Sequence, residues 1–370
     1  LHTRYRSAFD TLFMQRIDPT RAARDILLLE QVSEERAFIA DIYLDSQERI
    51  NLRLFQAENA LLSQLLPVLG HFGLIVQDQF SDFVKPLGGP DLTIDTFRLV
   101  GAPSTVLDGK YEVIEAIEAV FAGVVEDDPV NALVVGVGLP WREVDLLRAM
   151  LGYSRQLGLN FTKQRAVGIM LGYPEIVGNL VRLFHAKFDP ELTGNRDKAV
   201  LTASKSIVEA LKDVANHDED RLLRGIFEQI QASLRTNFYR SDLVDHYISF
   251  KIDHHLLPSQ VRSGLRYEIY VHHAEVEGCH LRGGKVARGG IRWSDRGDFR
   301  TEVMGLVRTQ MVKNVLIVPV GAKGGFRLKS PPSDFGVRRA KADELYQIFI
   351  RGLLDLTDNY VKGKMVSPDR

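Results

Sequence analysis

The sequence predicts a multidomain α/β chain of the α+β kind, a split β-α-β module followed by a helical bundle and then an α/β domain with its own sheet. Three observations predict it. At 370 residues the chain exceeds a usual single domain. Apolar residues alternate in short runs over 49–125, recur at helical spacing over 126–245, and alternate again from Tyr247. Two glycine pairs, Gly289-Gly290 and Gly324-Gly325, then bracket a stretch rich in cations.

Residues 1–48 read as a helical lead-in, with Asp18-Pro19 starting a helix that carries Ala22, Ile26 and Leu29 on one face. Over 49–125, Asn51–Phe55 reads as a strand, and Ser63 caps a helix that ends at Gly73. Leu74–Phe80 and Leu92–Val100 read as strands, and Val113, Ile117, Val120 and Val124 mark a helix. Strand, helix, strand, strand, helix is the order of a ferredoxin-like, split β-α-β fold.

Residues 126–245 read as helices. Pro140 suits the first turn of one that runs to Gly158. Pro174 opens another with Ile176, Leu180, Phe184 and Phe188 on one face. Leu201, Val208, Leu211 and Val214 mark a third, and Leu222, Ile226, Ile230, Leu234 and Phe238 a fourth. Over 246–370, Tyr247–Ile252 and Tyr267–Val271 alternate as strands and 276–286 adds another. Phe299, Val303, Leu306, Val307 and Met311 stripe a helix, 315–319 is a short buried strand, and 338–362 reads helical.

Composition excludes several classes. Hydrophobic and charged contents of 45% and 26% are those of an ordinary globular protein. The net charge of −1 argues against a general nucleic-acid or membrane-surface role. The lone Cys279 excludes an intrachain disulfide and suits a reducing, cytoplasmic setting. No apolar run approaches the roughly 20 residues that span a bilayer. Both ends read as cut, because Leu1 is not methionine and the last residues are a polar Ser-Pro-Asp-Arg.

Chemistry concentrates between Arg282 and Arg327, where the only acidic residues are Asp295, Asp298 and Glu302. Paired glycines let a ligand approach bare main chain, which makes Gly289 and Gly290 binding candidates. Gln310 and Lys313, three apart, project from one side of the helix. Lys323 follows the expected strand directly, in a Gly-Ala-Lys-Gly-Gly turn at the mouth of a crevice. Partly desolvated beside other cations, such a lysine loses part of its preference for the charged form and suits proton transfer. Arg288 and Lys313 are then left to hold carboxylates. The pattern describes a site for a small, doubly anionic acid.

Other chemistry fits less well. Adjacent histidines on a strand face opposite ways, so His254-His255 and His272-His273 make poor chelators, and no metal is expected. Gly324, not Ser or Thr, follows Lys323, so the magnesium-binding hydroxyl of a phosphate loop is missing. Gly136-Val137-Gly138 lacks the third glycine of a dinucleotide fingerprint and runs into Pro140. No Gly-x-Ser-x-Gly nucleophile motif occurs.

The stretch resembles glutamate dehydrogenase, whose substrate domain carries Lys-Gly-Gly-x-Arg, Gln-x-x-Lys and Pro-x-Gly-Gly-Ala-Lys-Gly-Gly. Here these read Arg288-Gly289-Gly290-Ile291-Arg292, Gln310-Met311-Val312-Lys313 and Pro319-Val320-Gly321-Ala322-Lys323-Gly324-Gly325. Arg288 replaces the first lysine, and only Gly321 precedes Ala322. The wording is similar to the large, NAD-dependent bacterial enzymes. The resemblance implies oxidative deamination of L-glutamate to 2-oxoglutarate and ammonia, with NAD as cofactor and a homo-oligomer as the working form. It implies that Lys313 and Gln310 bind the α-carboxylate, Arg288 (or, failing it, Lys285) the side-chain carboxylate, and that Lys323 activates water. It also implies that 49–125 is an ACT-type module, and that a Rossmann domain and a catalytic aspartate follow Arg370, so that residues 1–370 alone are inactive. The competing expectation is a non-catalytic amino-acid-sensing or assembly module centred on 49–125.

Overall fold

The computed structural model describes residues 1–57, 60–101, 105–258, 264–285, 289–313 and 320–368. It divides into two compact units, Leu1–Val144 and Asp145–Arg370, so residues 126–144 belong with the first unit. No single helix among the described residues is long and apolar enough to cross a membrane.

In the first unit the lead-in is helical only in its early part. Asp18 accepts from the amides of Thr20 and Arg21 and Pro19 sits in the first turn of α1 (Pro19–Leu29), as the sequence predicts. Residues 38–44, expected as lead-in, are instead strand β1 (Phe38–Leu44). That segment is rich in aromatic and β-branched residues and pairs residue by residue with β2 (Ile50–Gln56). The Asp45 side chain closes the hairpin by accepting from the amides of Gln47 and Arg49.

Next come α2 (Leu62–His71), β3 (Ile75–Val84), β4 (Leu92–Val100) and α3 (Lys110–Phe121). The sheet order is β1-β2-β4-β3, and every neighbouring pair is antiparallel. β2 and β3 therefore run parallel with β4 between them, which makes β2-α2-β3 a split β-α-β unit. Phe13 and Leu29 of the lead-in share a core with Ile39, Phe55 and Ile94 on one sheet face. On the same face the fully buried Arg53 pairs with Asp25.

In the second unit, helices run from the later turns of α4 (Trp141–Gln156) through α5 (Lys163–Gly172), α6 (Pro174–Phe188), α7 (Arg196–Ala210) and α8 (His217–Ala232). Ile176, Leu180, Phe184 and Phe188 of α6 are buried as predicted. The stripe on α7 differs. Leu201 and Val208 are 54% and 44% exposed, while Ile207, Leu211 and Val214 are buried. Helix α8 stops at Ala232, short of Leu234 and Phe238. Ser233 turns extended there, and β5 (Ser233–Thr236) finds ladder partners in β6 (Tyr247–Asp253).

The strands β5, β6, β7 (Tyr267–His273), β8 (Val276–Arg282), β9 (Ile291–Trp293) and β10 (Ala322–Leu328) form one sheet in the order β5-β6-β7-β8-β10-β9. Only β9–β10 is parallel. Against it lie α9 (Phe299–Lys313) and α10 (Phe335–Asp355). Helix α10 ends earlier than the expected 362. A hairpin, Asn359–Val361 with Lys364–Val366, follows it, and Lys362 and Gly363 both take positive φ in its two-residue loop. The expected strand at 315–319 lies outside the described residues.

The two sheet faces differ in chemistry. One carries Tyr247, Ile269, Val271, Val276, Phe326 and Leu328, in a core with Ile348, Phe349 and Leu353 of α10. Side chains alternate along a strand, so the other face carries Glu268, Tyr270 and His272 on β7, Glu277, Cys279 and Leu281 on β8, and Lys323 and Arg327 on β10. Buried polar groups in such a row need hydrogen-bond partners.

Candidate functional site

Gly321–Gly325 is not the expected turn, because Ala322 onward is strand β10. The glycines allow close approach instead. A Cβ on Gly325 would lie 2.5 Å from Val303 of α9, and one on Gly324 would lie 2.9 Å from the His280 ring. The first glycine pair meets the same strand. Gly289 takes φ +127°, and a Cβ there would fall 1.8 Å from the Ala322 carbonyl oxygen. Gly290 accepts a hydrogen bond from the Gly324 amide at 3.2 Å. Both pairs thus serve one spot, with helix on one side of it and bare backbone on the other.

Lys323 occupies that spot, half-buried. Its Cδ lies 3.6 Å from the place a Gly289 Cβ would take, and its Nζ lies 3.9 Å from that of Gly290. The side chain therefore runs beneath Gly289-Gly290, which themselves stay exposed. Gln310 approaches from α9, its Oε1 being 3.3 Å from the Cβ position of Gly321. That oxygen is buried and finds no donor among the described residues. An orphaned buried acceptor costs about 1–3 kcal/mol, which a ligand donor can offset.

The structure brings Gly289, Gly290 and Lys323 together and sets Gln310 against Gly321, two residues before Lys323. Lys313 ends α9 one turn beyond Gln310, but its side chain is outside the described set. Arg288 lies outside the described residues altogether. Lys285 is exposed. Arg292 is engaged by Glu302 at 2.8 Å.

Sequence reasoning missed a cluster beside the site. Glu268, fully buried, sits in the same cross-strand row as Leu281 and Lys323. Arg300 of α9 donates to its carboxylate from Nε and Nη2, both at 2.9 Å at the nearest oxygen. The Tyr153 hydroxyl donates at 2.9 Å and His254 Nε2 lies 2.7 Å away. Burial pushes the Glu268 carboxyl upward, but the Arg300 guanidinium and His254 outweigh it and hold its pKa down at about 2. Burial drives the neighbouring Cys279 thiol well up, so it stays protonated. Burial, with Arg282 beside it, lowers His280 to about 4 and leaves it neutral near pH 7. The available signal was the alternation of Glu268, Tyr270 and His272 on β7, which reads equally well as a solvated face.

The histidine pairs find partners of their own. His254 is taken by Glu268, and His272 Nε2 lies 3.2 Å from the buried Asp145. The Gly136-Val137-Gly138 string does not fit a nucleotide. Gly138, with φ +77°, caps the C-terminus of the short helix Ala132–Val137, the negative end of its dipole, whereas a pyrophosphate needs an N-terminus.

Comparison with known proteins adds three matches. Residues 206–370 match the family model "Bacterial NAD-glutamate dehydrogenase, catalytic domain". Residues 125–190 match "Glutamate dehydrogenase, helical motif 3", and 38–110 match "Glutamate dehydrogenase, ACT3 domain". Among curated proteins, the NAD-specific glutamate dehydrogenases of Pseudomonas aeruginosa, Halomonas elongata and Mycobacterium tuberculosis are 39%, 38% and 38% identical over 97%, 100% and 96% of this chain. The chain spans 23%, 24% and 23% of their respective lengths.

Proposed function

We infer, from a chain that carries the domains of a bacterial NAD-glutamate dehydrogenase, that the protein it belongs to catalyses the reversible oxidative deamination of L-glutamate to 2-oxoglutarate and ammonia. The observation that carries this reading is Lys323, laid beneath Gly289-Gly290, with Gln310 Oε1, which has no donor among the described residues, close to the start of the same strand. Lys323 takes the catalytic role. Its ammonium hydrogen-bonds the oxygen at Cα and, deprotonated, accepts a proton from the attacking water. Gln310 and Lys313 hold the α-carboxylate. The Gln310 Oε1 is then free to accept from the substrate ammonium. Arg288 binds the side-chain carboxylate in a two-pronged pair where a lysine makes a point contact, with Lys285 as its substitute. Bare main chain at Gly289 and Gly290 admits the substrate.

NAD supplies the hydride acceptor. The described residues offer no fitting seat for it, and we place its binding in a part of the protein outside residues 1–370. The split β-α-β sheet of the first unit supports reading it as an ACT-type module, which serves amino-acid sensing or subunit assembly. A homo-oligomer in the cytoplasm completes the proposal. Its direct test is glutamate-dependent NADH formation by the full-length protein, and a preparation that is folded yet inert with glutamate overturns it.

A further inference from the structure

We propose that Glu268, acting through Arg300, is the positioning residue that sets where α9 carries Gln310 and Lys313 relative to Lys323. The proposal rests on the dehydrogenase reading above. Glu268 itself is wholly buried and cannot touch a substrate.

Glu268 and Gln156 both fasten the first turn of α9 at Arg300. Arg300, its second residue, is 4% exposed and grips the carboxylate with Nε at 2.9 and 3.0 Å from its two oxygens and Nη2 at 2.9 Å. Tyr153 and His254 both meet its Oε2, at 2.9 and 2.7 Å. Gln156 then holds the approach to the helix from both sides. Its Nε2 donates to the Gly297 carbonyl at 2.9 Å, and its Oε1 accepts from the Arg300 amide at 3.4 Å.

A buried ion pair is weak evidence for stability, because apolar groups of the same volume often do as well. What this one supplies is register. Farther along, Val303 of α9 rests on Gly325 of β10 and Met311 on Gly321 just before that strand, positions with no side chain to interlock with. Such contacts set distance from the sheet more firmly than position along it. A two-pronged arginine–carboxylate pair fixes both distance and direction. Gln310 lies ten residues beyond Arg300, about 15 Å along the helix axis, so a tilt of about 4° at the clamp displaces it by about 1 Å. Lys323 is anchored in the same sheet row as Glu268, so the clamp references the substrate-holding helix to the catalytic lysine's own strands.

The test uses the full-length enzyme with two variants. Glu268→Asp keeps the charge and shortens the arm by one methylene. Tyr153→Phe keeps the charge pair and removes a donor that holds Oε2 in place against Arg300. Glu268→Asp should lower kcat/KM for glutamate by about 10²-fold with a raised glutamate KM, while the KM for NAD stays within about twofold. Tyr153→Phe should shift the glutamate KM the same way by about threefold or more, and it carries the test if Glu268→Asp does not fold. Variants that melt earlier but turn over glutamate with wild-type kcat and KM per folded molecule overturn the proposal. A wild-type enzyme inert with glutamate sinks the functional reading rather than the clamp. Amide exchange along 305–313 in Tyr153→Phe then decides, faster exchange supporting the clamp and unchanged exchange refuting it.

Discussion

Lys323 is the side chain on which turnover should depend. It is half-buried at a strand start with backbone packed over it, and it contributes little to the core. Lys323→Ala in the full-length protein should therefore abolish glutamate oxidation while circular dichroism and melting stay close to wild type. Near-normal kcat would remove it from catalysis. Arg288 should matter through one carboxylate only. Losing one arm of a desolvated charge pair costs about 2–5 kcal/mol, so Arg288→Ala should hurt glutamate far more than a substrate lacking the side-chain carboxylate. Equal losses on both would reassign it. These candidates stand out in the chain because the pattern that marks them is local: a lysine among glycines, a glutamine three residues from a lysine. Arg300 does not. Its neighbours Arg296 and Arg308 in the same string are exposed, and only the partner on β7, thirty-two residues upstream, distinguishes it.

At the scale of elements, the contact between α9 and β10 depends on glycine. Gly325→Ala would push a methyl to within 2.5 Å of Val303 Cγ2, in a helix whose first turn is clamped. Overpacking of this kind costs about 1–3 kcal/mol, visible as a lower midpoint in denaturant. Val303→Ala in the same chain should recover part of that loss, because the clashing methyl is then gone. No recovery would mean that the backbone, not the side chain, sets the spacing. The Glu268 carboxyl adds a pH dependence. Its folded pKa of about 2 lies below the ordinary 4.5, so its contribution is present above about 4.5 and is lost as pH falls toward 2. Unfolding free energy measured across that window should fall more steeply in wild type than in Glu268→Gln. Matching slopes would show that Glu268 is not ionised in the folded protein.

For the molecule as a whole, the two units each bury a core of their own, so residues 1–370 should fold when purified. They should not bind NAD tightly. The Gly136–Gly138 string caps a helix at the wrong end for a pyrophosphate. Calorimetric titration of NAD into this chain is the check, and micromolar binding would place a nucleotide site within residues 1–370. Weak binding of glutamate or 2-oxoglutarate should survive, since the residues proposed to hold its carboxylates lie in this chain, though exposed to screening by water.

By itself the sequence determined the mixed α/β character of the chain, the strands Leu92–Val100 and Tyr247–Asp253 nearly to the residue, and the nearness of Gly289 and Gly290 to Lys323. Each depends on periodicity or on residue types adjacent in the chain, which a linear reading can see. Tertiary structure decided three further things. It made 38–44 a strand by supplying β2 as partner, and ended α8 at Ala232 by supplying β6. It turned a predicted glycine turn into a strand, since the need for glycine came from Val303, His280 and Ala322 pressing in from other elements. It also gathered Tyr153, His254, Glu268 and Arg300, separated by up to 147 positions in the chain, into one buried cluster. No local pattern marks those four, because a charged residue on an alternating strand looks the same whether water or an arginine awaits it.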